Sequence, residues 1–282
     1  MISFNLKTYT SYILLLLMLT FVALTKPVVA ADPNIVLDRI RDTGEFRVPV
    51  MVGEEPGFVK DRSTGKWGGF YIEWAEEIAE HLGAKVVPVE TTWGNLAGDF
   101  QAGKIDIAIG LNPNPKRGLV VDYLNVTLFT DAWAIVAQGD FNINSWKGLN
   151  DPSVRLVVQK GSTMQVVAEA LTPKAQIIPV EDRPLGVAEL MAKRADAMIV
   201  SIFDAVKVVQ ALEGSKVVLP TPMLRNPATI GIRREDGNQG YMNWLTNWVH
   251  QQRALGLAQG KLNKAFEEHG IDLSVLPPEF SF

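Results

Sequence analysis

Short apolar, β-branched runs alternate along this chain with stretches whose apolar residues fall three and four positions apart. Residues 47–52, 85–89 and 105–109 form a first series of such runs, and 155–158, 176–180 and 195–200 form a second. Between the first two runs, Trp74, Ile78 and Leu82 recur every four residues on a Glu- and Ala-rich segment closed by Gly83, which predicts an amphipathic helix with a glycine end. In the second series Gly161-Ser162-Thr163 opens an apolar-periodic segment through Val166, Val167 and Leu171, and a further helix is expected over 185–193. The spacing at Tyr241, Trp244, Leu245, Trp248 and Val249 predicts another helix over 241–250. Parallel strands need a crossover long enough to hold a helix, so this alternation predicts an α/β fold with a largely parallel sheet. Pro49 and Pro88 remove ladder donors and mark their strands as edges or strand ends.

Two βα series followed by a return of helices predict two lobes joined by a double crossing. Lobe 1 is expected over 31–130 and 228–282, lobe 2 over 131–227, with the crossings near 128–136 and 222–229. In such an architecture ligand sites lie at the carboxyl ends of the strands.

Residues 1–30 are set apart from that fold. Lys7, an uncharged apolar run from Ile13 to Leu24, and Val28-Val29-Ala30 read as a signal peptide cleaved after Ala30. The apolar run is too short for the roughly 20 residues that cross a bilayer. Removing two lysines and no acid with the leader leaves 25 basic against 31 acidic residues, a net charge of −6. An acidic chain lacks the basic footprint that nucleic acid requires. The absence of cysteine excludes disulfides, thiolate catalysis, thiolate metal sites and a lipid-modified cysteine after the leader. A periplasmic protein without a cofactor is expected.

The chemistry concentrates where the third run ends. Gly103-Lys104-Ile105-Asp106-Ile107-Ala108-Ile109-Gly110 leads into Asn112-Pro113-Asn114-Pro115-Lys116-Arg117. A strand that stops in a Pro- and Asn-rich turn delivers the Arg117 guanidinium, whose planar fork of donors matches a carboxylate. The alternative for Arg117 is a surface pair with Asp122. The helix start at Ser162 and Thr163 offers unpaired N–H groups and about half a unit of positive charge, a second carboxylate site that is compatible with plain capping.

These segments resemble the periplasmic amino-acid-binding family of ABC importers, the type II solute-binding proteins. The resemblance covers nearly all of the chain after the leader. It rests on Pro56-Gly57-Phe58 with Gly65-Lys66-Trp67-Gly68-Gly69-Phe70, on Trp93-Gly94-Asn95-Leu96 leading into Gln101-Ala102-Gly103-Lys104-Ile105-Asp106, on Asn114-Pro115-Lys116-Arg117, and on Gln159-Lys160-Gly161-Ser162-Thr163. It implies a two-lobed fold, each lobe a mixed, mostly parallel sheet flanked by helices, with two hinge crossings. It also implies that Arg117 clamps a ligand carboxylate while Ser162 and Thr163 close on it from the other lobe. Gly110 and Asn112, in the turn before Arg117, are counted with the site.

The chain departs from the family pattern at three places. The family's ammonium-binding aspartate, five residues after its Asp-Ala pair, is Ser201 here, following Asp196-Ala197. Asp204 stands three residues further on and is expected to face solvent. Glu54-Glu55 replaces an aromatic lid; Glu55 either binds a cationic group of the ligand or belongs to a solvated acidic loop. Trp93 is either a wall of the side-chain pocket, able to hold an amine over its ring, or a core residue.

The expected protein is a solute-binding protein that captures an amino acid or related small carboxylate and works as a monomer with an ABC-type membrane permease. An exported dehydratase-like enzyme on the same scaffold and a chemosensory binding protein are the alternatives. Binding is favoured over catalysis because His81, His250 and His269 show no metal spacing and no serine sits in a nucleophile elbow.

Overall fold

The computed structural model describes residues 35–270; the expected leader and its cleavage point after Ala30 lie outside them. In chain order the elements are α1 (Ile35–Thr43), β1 (Glu45–Val50), β2 (Val59–Lys60), β3 (Trp67–Gly68), α2 (Phe70–Leu82), β4 (Lys85–Glu90), α3 (Leu96–Gln101), β5 (Ile107–Leu111), β6 (Val121–Tyr123), β7 (Phe129–Gln138) and α4 (Trp146–Leu149). They continue as β8 (Arg155–Gln159), α5 (Thr163–Leu171), β9 (Gln176–Val180), α6 (Arg183–Met191), β10 (Ala197–Ser201), α7 (Ile202–Ala211), β11 (Ser215–Val218), β12 (Arg225–Arg233), α8 (Gln239–Ala254) and α9 (Leu257–Glu268). None of the described helices is long and apolar enough to cross a membrane.

The predicted strands and helices form, but the sheets are mixed and not largely parallel: among the described residues three strand pairs are parallel and six antiparallel, because the two long strands β7 and β12 run against their neighbours. β1 pairs with β4, and β8 with both β9 and β10, all parallel. Pro49 and Pro88 both sit in the two-stranded β1–β4 sheet. A further sheet has the order β5-β12-β7-β10-β8-β9, with β6 on β12 and β11 on β7. Apart from the β2–β3 hairpin, every antiparallel pair involves β7 or β12. These two long strands run over 129–138 and 225–233. They pair with each other at Arg225↔Ala132 through Ala228↔Phe129, then extend in opposite directions into the two halves of the sheet.

The helix α2 shows how patterning becomes packing. Phe70, Trp74, Ile78 and Leu82 are buried along one face, and Gly83 ends the helix in the left-handed conformation at φ 68°, where the Ala84 N–H donates to the Ala79 carbonyl at 2.9 Å. Trp74 stacks on Phe129 at 5.9 Å, Phe129 meets Phe203 at 5.7 Å, and Phe203 stacks on Phe266 at 5.0 Å. This aromatic chain joins α2, the start of β7, α7 and α9 across the point where the strands cross.

One device occurs twice. Asp106, just before β5, accepts from the backbone N–H, Nε and Nη2 of Arg47 on β1 at 2.8, 3.2 and 2.7 Å. Asp196, just before β10, accepts from the same three groups of Arg155 on β8 at 2.8, 3.2 and 2.6 Å. Each aspartate also donates its own N–H to the carbonyl of that arginine at 2.9 Å. The third strand of each series is thus bracketed to the first at its amino end.

The two brackets differ in burial: the Asp106 side chain is 2 % exposed and also meets Arg39, whereas that of Asp196 is 25 % exposed. Replacing Asp106 strands two arginines and a strand N–H. Asp106→Ala should therefore cost about 3 kcal/mol, and Asp196→Ala about 1 kcal/mol, as read from urea unfolding of the two variants beside the parent.

Candidate functional site

The brackets hold the amino ends of the strands, so the opposite ends converge, and each contributes one loop to a shared cleft. The segment after β1 brings Glu54, the one after β4 brings Thr92 and Trp93, and the one after β5 brings Arg117. From the second series come Gln159 and Gly161 after β8, Arg183 after β9, and Ser201 and Asp204 at the end of β10. The loops approach closely: a Cβ on Gly161 would lie 2.5 Å from the Gly94 Cα, so a side chain is excluded where the two backbones pass. A cavity of about 330 Å³ opens beside them, lined by Glu54, Glu90, Thr92, Trp93, Gln159 and Glu181.

Arg117 is positioned by its own turn. The Asn114 Oδ1 accepts from the N–H groups of Lys116 and Arg117 at 3.0 and 3.2 Å and so holds the start of a short 3₁₀ turn. The guanidinium is 5 % exposed, donates to the Gly161 carbonyl at 3.2 Å, and lies 5.8 Å over the Trp93 ring. Burial lowers its pKa, opposed by Tyr123, yet an arginine stays charged. Asp122, the alternative partner, pairs with Arg234 at 2.7 Å instead. Among the described residues no carboxylate pairs with Arg117. A buried guanidinium with a neutral carbonyl and a ring face for company is built to receive an anion.

Deeper in the cleft lies an acid cluster around one arginine. Glu54 Oε1 accepts from Gln159 Nε2 at 2.6 Å and from Trp93 Nε1 at 3.2 Å, and its Oε2 accepts from Arg183 Nη2 at 2.6 Å. Arg183 Nη2 also donates to Asp204 Oδ2 at 2.7 Å, and Nη1 to the Gly53 carbonyl at 2.8 Å. Asp131, on β7, accepts from its neighbour's N–H at 2.6 Å and from Ser201 Oγ at 3.0 Å. Burial pushes the Asp131 carboxyl up to about 7, against the hydrogen bond from Ser201. Burial likewise raises Asp204 to about 8, against the pull of Arg183. Tyr71, buried beside these acids, is held well above the usual phenol range.

The expected site residues are distributed as follows. Ser162 caps α5, accepting from the Gln165 N–H at 3.3 Å and donating to the Gln159 carbonyl at 2.6 Å. Thr163 is the half-buried first residue of that helix. Gly110 has φ 75°, and a Cβ there would lie 2.1 Å from the Tyr71 ring. Asn112 turns toward β12, donating to the Pro227 carbonyl at 3.2 Å. Trp93 is half-buried, with its face toward Arg117 and its N–H on Glu54. Glu55 is half-exposed, and its neighbour Glu54 is the buried carboxylate of the lid position. Ser201 caps α7 through the Phe203 N–H at 3.2 Å. Asp204, expected to face solvent, faces inward onto Arg183, because the first turn of α7 packs Phe203 and Ala205 into the core and directs the residue between them along the cleft.

Sequence reading assigned no role to Asp131, Gln159 or Arg183, and of the pair Glu54-Glu55 it pointed to Glu55. Gln159 ends a strand, Arg183 starts a helix, and Asp131 is a polar residue inside the apolar run of β7. Those positions are the one signal that could have marked them.

With this geometry in place, the relatives are informative. Residues 50–268 match the model of the bacterial extracellular solute-binding proteins, family 3, and the chain belongs to that family. It is 29% identical over 172 residues to a cyclohexadienyl dehydratase of Pseudomonas aeruginosa, a match that takes in 60% of this chain and 63% of that enzyme's length. It is 22% identical over 232 residues to the L-cystine-binding protein TcyJ of Escherichia coli, covering 82% of this chain and 85% of that one. The crystal structure of an ancestral amino acid-binding protein, a precursor of cyclohexadienyl dehydratase, superposes with a TM-score of 0.71 at 31% identity over 82% of this chain and 98% of its own. The fold is accordingly the two-lobed type II periplasmic-binding-protein fold.

An acid whose pKa is higher folded than unfolded binds its proton more tightly in the native state. Between about pH 4 and 7 the ionisation of Asp131 therefore lowers stability as pH rises. In ligand-free protein Asp131→Asn should melt several degrees above the parent at pH 8, with the gap closing toward pH 5. Calorimetry at the two pH values checks this.

Proposed function

We propose that this family 3 solute-binding protein is exported to the periplasm, captures an amino acid or related small carboxylate, and delivers it as a monomer to an ABC-type import permease. The observation that carries the reading is Arg117, a buried guanidinium without an acid partner among the described residues. The α5 start at Ser162 and Thr163 faces the same loop through Gly161, so one carboxylate would be shared by the arginine and the helix end. Lobe 1 is assigned to 31–130 and 228–282, and lobe 2 to 131–227. The paired strands β7 and β12 form the hinge. Contacts such as Glu54–Arg183 and Arg117–Gly161 then span the two lobes, and a ligand that bridges them stabilises the closed form by its higher affinity for it.

A second reading is dehydration of a cyclohexadienyl carboxylate such as prephenate. It is favoured by the likeness to a dehydratase together with two buried carboxyl groups, Asp131 and Asp204, that hold a proton near neutral pH. The test is incubation with prephenate, followed by the absorbance of an aromatic product; an enzyme of this kind loses turnover in Asp204→Asn.

For the binding reading, a ligand at about 100 times its dissociation constant adds about 2.7 kcal/mol, a rise of about 5–10 °C in a chain of this size. Thermal shift over amino acids and amine-free carboxylates should give such a rise. Arg117→Ala should abolish it, with affinity falling at least about 100-fold while the ligand-free melting temperature changes little. An unchanged affinity in that variant overturns the assignment.

A further inference from the structure

We propose that Arg183 is a built-in selectivity residue: its guanidinium fills the acidic end of the cleft and restricts the ligand to small carboxylates whose far end is neutral or acidic. This deepens the carboxylate-capture reading and rests on it.

Buried Glu54 and part-buried Asp204 are carboxylates that a ligand guanidinium or ammonium would seek, and both are engaged by one protein side chain at 2.6 and 2.7 Å. Arg183 is itself 3 % exposed, and Nη1 is held by the Gly53 carbonyl at 2.8 Å. The remaining oxygen of Glu54 is taken by Gln159 and Trp93. This end of the cleft thus already holds a cation in the form that an arginine ligand would present. A second cation there would face a like charge in a desolvated site, with Glu54 and Asp204 already on Arg183 and Asp131 engaged by Ser201 and a backbone N–H.

The unmet capacity is of the other kind. Arg183 Nε is a buried donor without a hydrogen-bond partner among the described residues. Arg117, on the far side of the Trp93 ring, is a buried cation without an acid. The indole connects the two arginines, one ring face under Arg117 and its N–H on the Glu54 that binds Arg183. A ligand with a carboxylate for Arg117 and an acceptor oxygen at its other end satisfies both, which describes an amide, hydroxyl or acidic side chain and not a lysine- or arginine-like one.

The experiment compares the parent with Arg183→Ala and Arg183→Gln, using thermal shift and calorimetric titration with glutamine, glutamate, arginine and lysine. The parent should respond to glutamine or glutamate and at least tenfold more weakly to arginine and lysine. Removing Arg183 leaves a guanidinium-shaped space between two acids, so Arg183→Ala should gain at least tenfold in arginine affinity, and millimolar guanidinium ion should raise its melting temperature but not that of the parent. Arg183→Gln keeps two donors near Glu54 and Asp204 and serves where the alanine variant does not fold. Arginine or lysine binding to the parent as tightly as the best neutral ligand overturns the selectivity alone. The same holds if neither folded variant gains affinity for arginine. No response of the parent to any carboxylate overturns the capture reading and the selectivity with it.

Discussion

The repeated arginine–aspartate bracket is the constraint on which the remaining architecture depends. Arg47–Asp106 and Arg155–Asp196 each tie the first strand of a βα series to the third at the amino end, through the same three donors and one return backbone bond. A parallel strand held at one end carries its other end to a defined place. The six loops that follow β1, β4, β5, β8, β9 and β10 therefore meet in one cleft. The long strands β7 and β12 pair only where they cross, with β5 and β6 on the β12 side and β8, β9, β10 and β11 on the β7 side, while β1 and β4 form a sheet of their own.

The chemistry of that cleft is set by which charges are paired before any ligand arrives. Arg183 is shared by Glu54 and Asp204, one positive charge between two acids, and Asp204 is raised to about 8 by burial so that its proton relieves the excess of negative charge near neutral pH. Asp131, with Ser201 as donor, keeps a raised pKa and is neutral for much of the acid range. Arg117 is left with a carbonyl and an aromatic face. Ser201 belongs to the same balance. A carboxylate at 201 would stand beside Asp131, whereas a hydroxyl donates to it and still caps α7.

The site was partly legible. Arg117 and Ser162 could be read because each announces itself locally, one by a strand that ends in an Asn-Pro turn, the other as a capping residue before a periodic helix. Glu54 and Glu55 could not be told apart by sequence, since adjacent residues in a loop have no period to sort them; contact with Gln159, 105 positions away, decides which one is buried. Asp204 was misjudged for a related reason. Helical periodicity gives the apolar face of α7, but it does not show that the residue between Phe203 and Ala205 meets Arg183 at the start of α6.

The sequence by itself determined the α/β order and the double series of strands and helices, because hydrophobic period, turn residues and helix caps act over a few neighbouring positions. Only the tertiary structure decided the pairing of charges. Glu54 and Arg183 are 129 positions apart and share no local pattern. Their union depends on two strands ending at the same height, where removal from water makes any unpaired charge costly and so selects a partner.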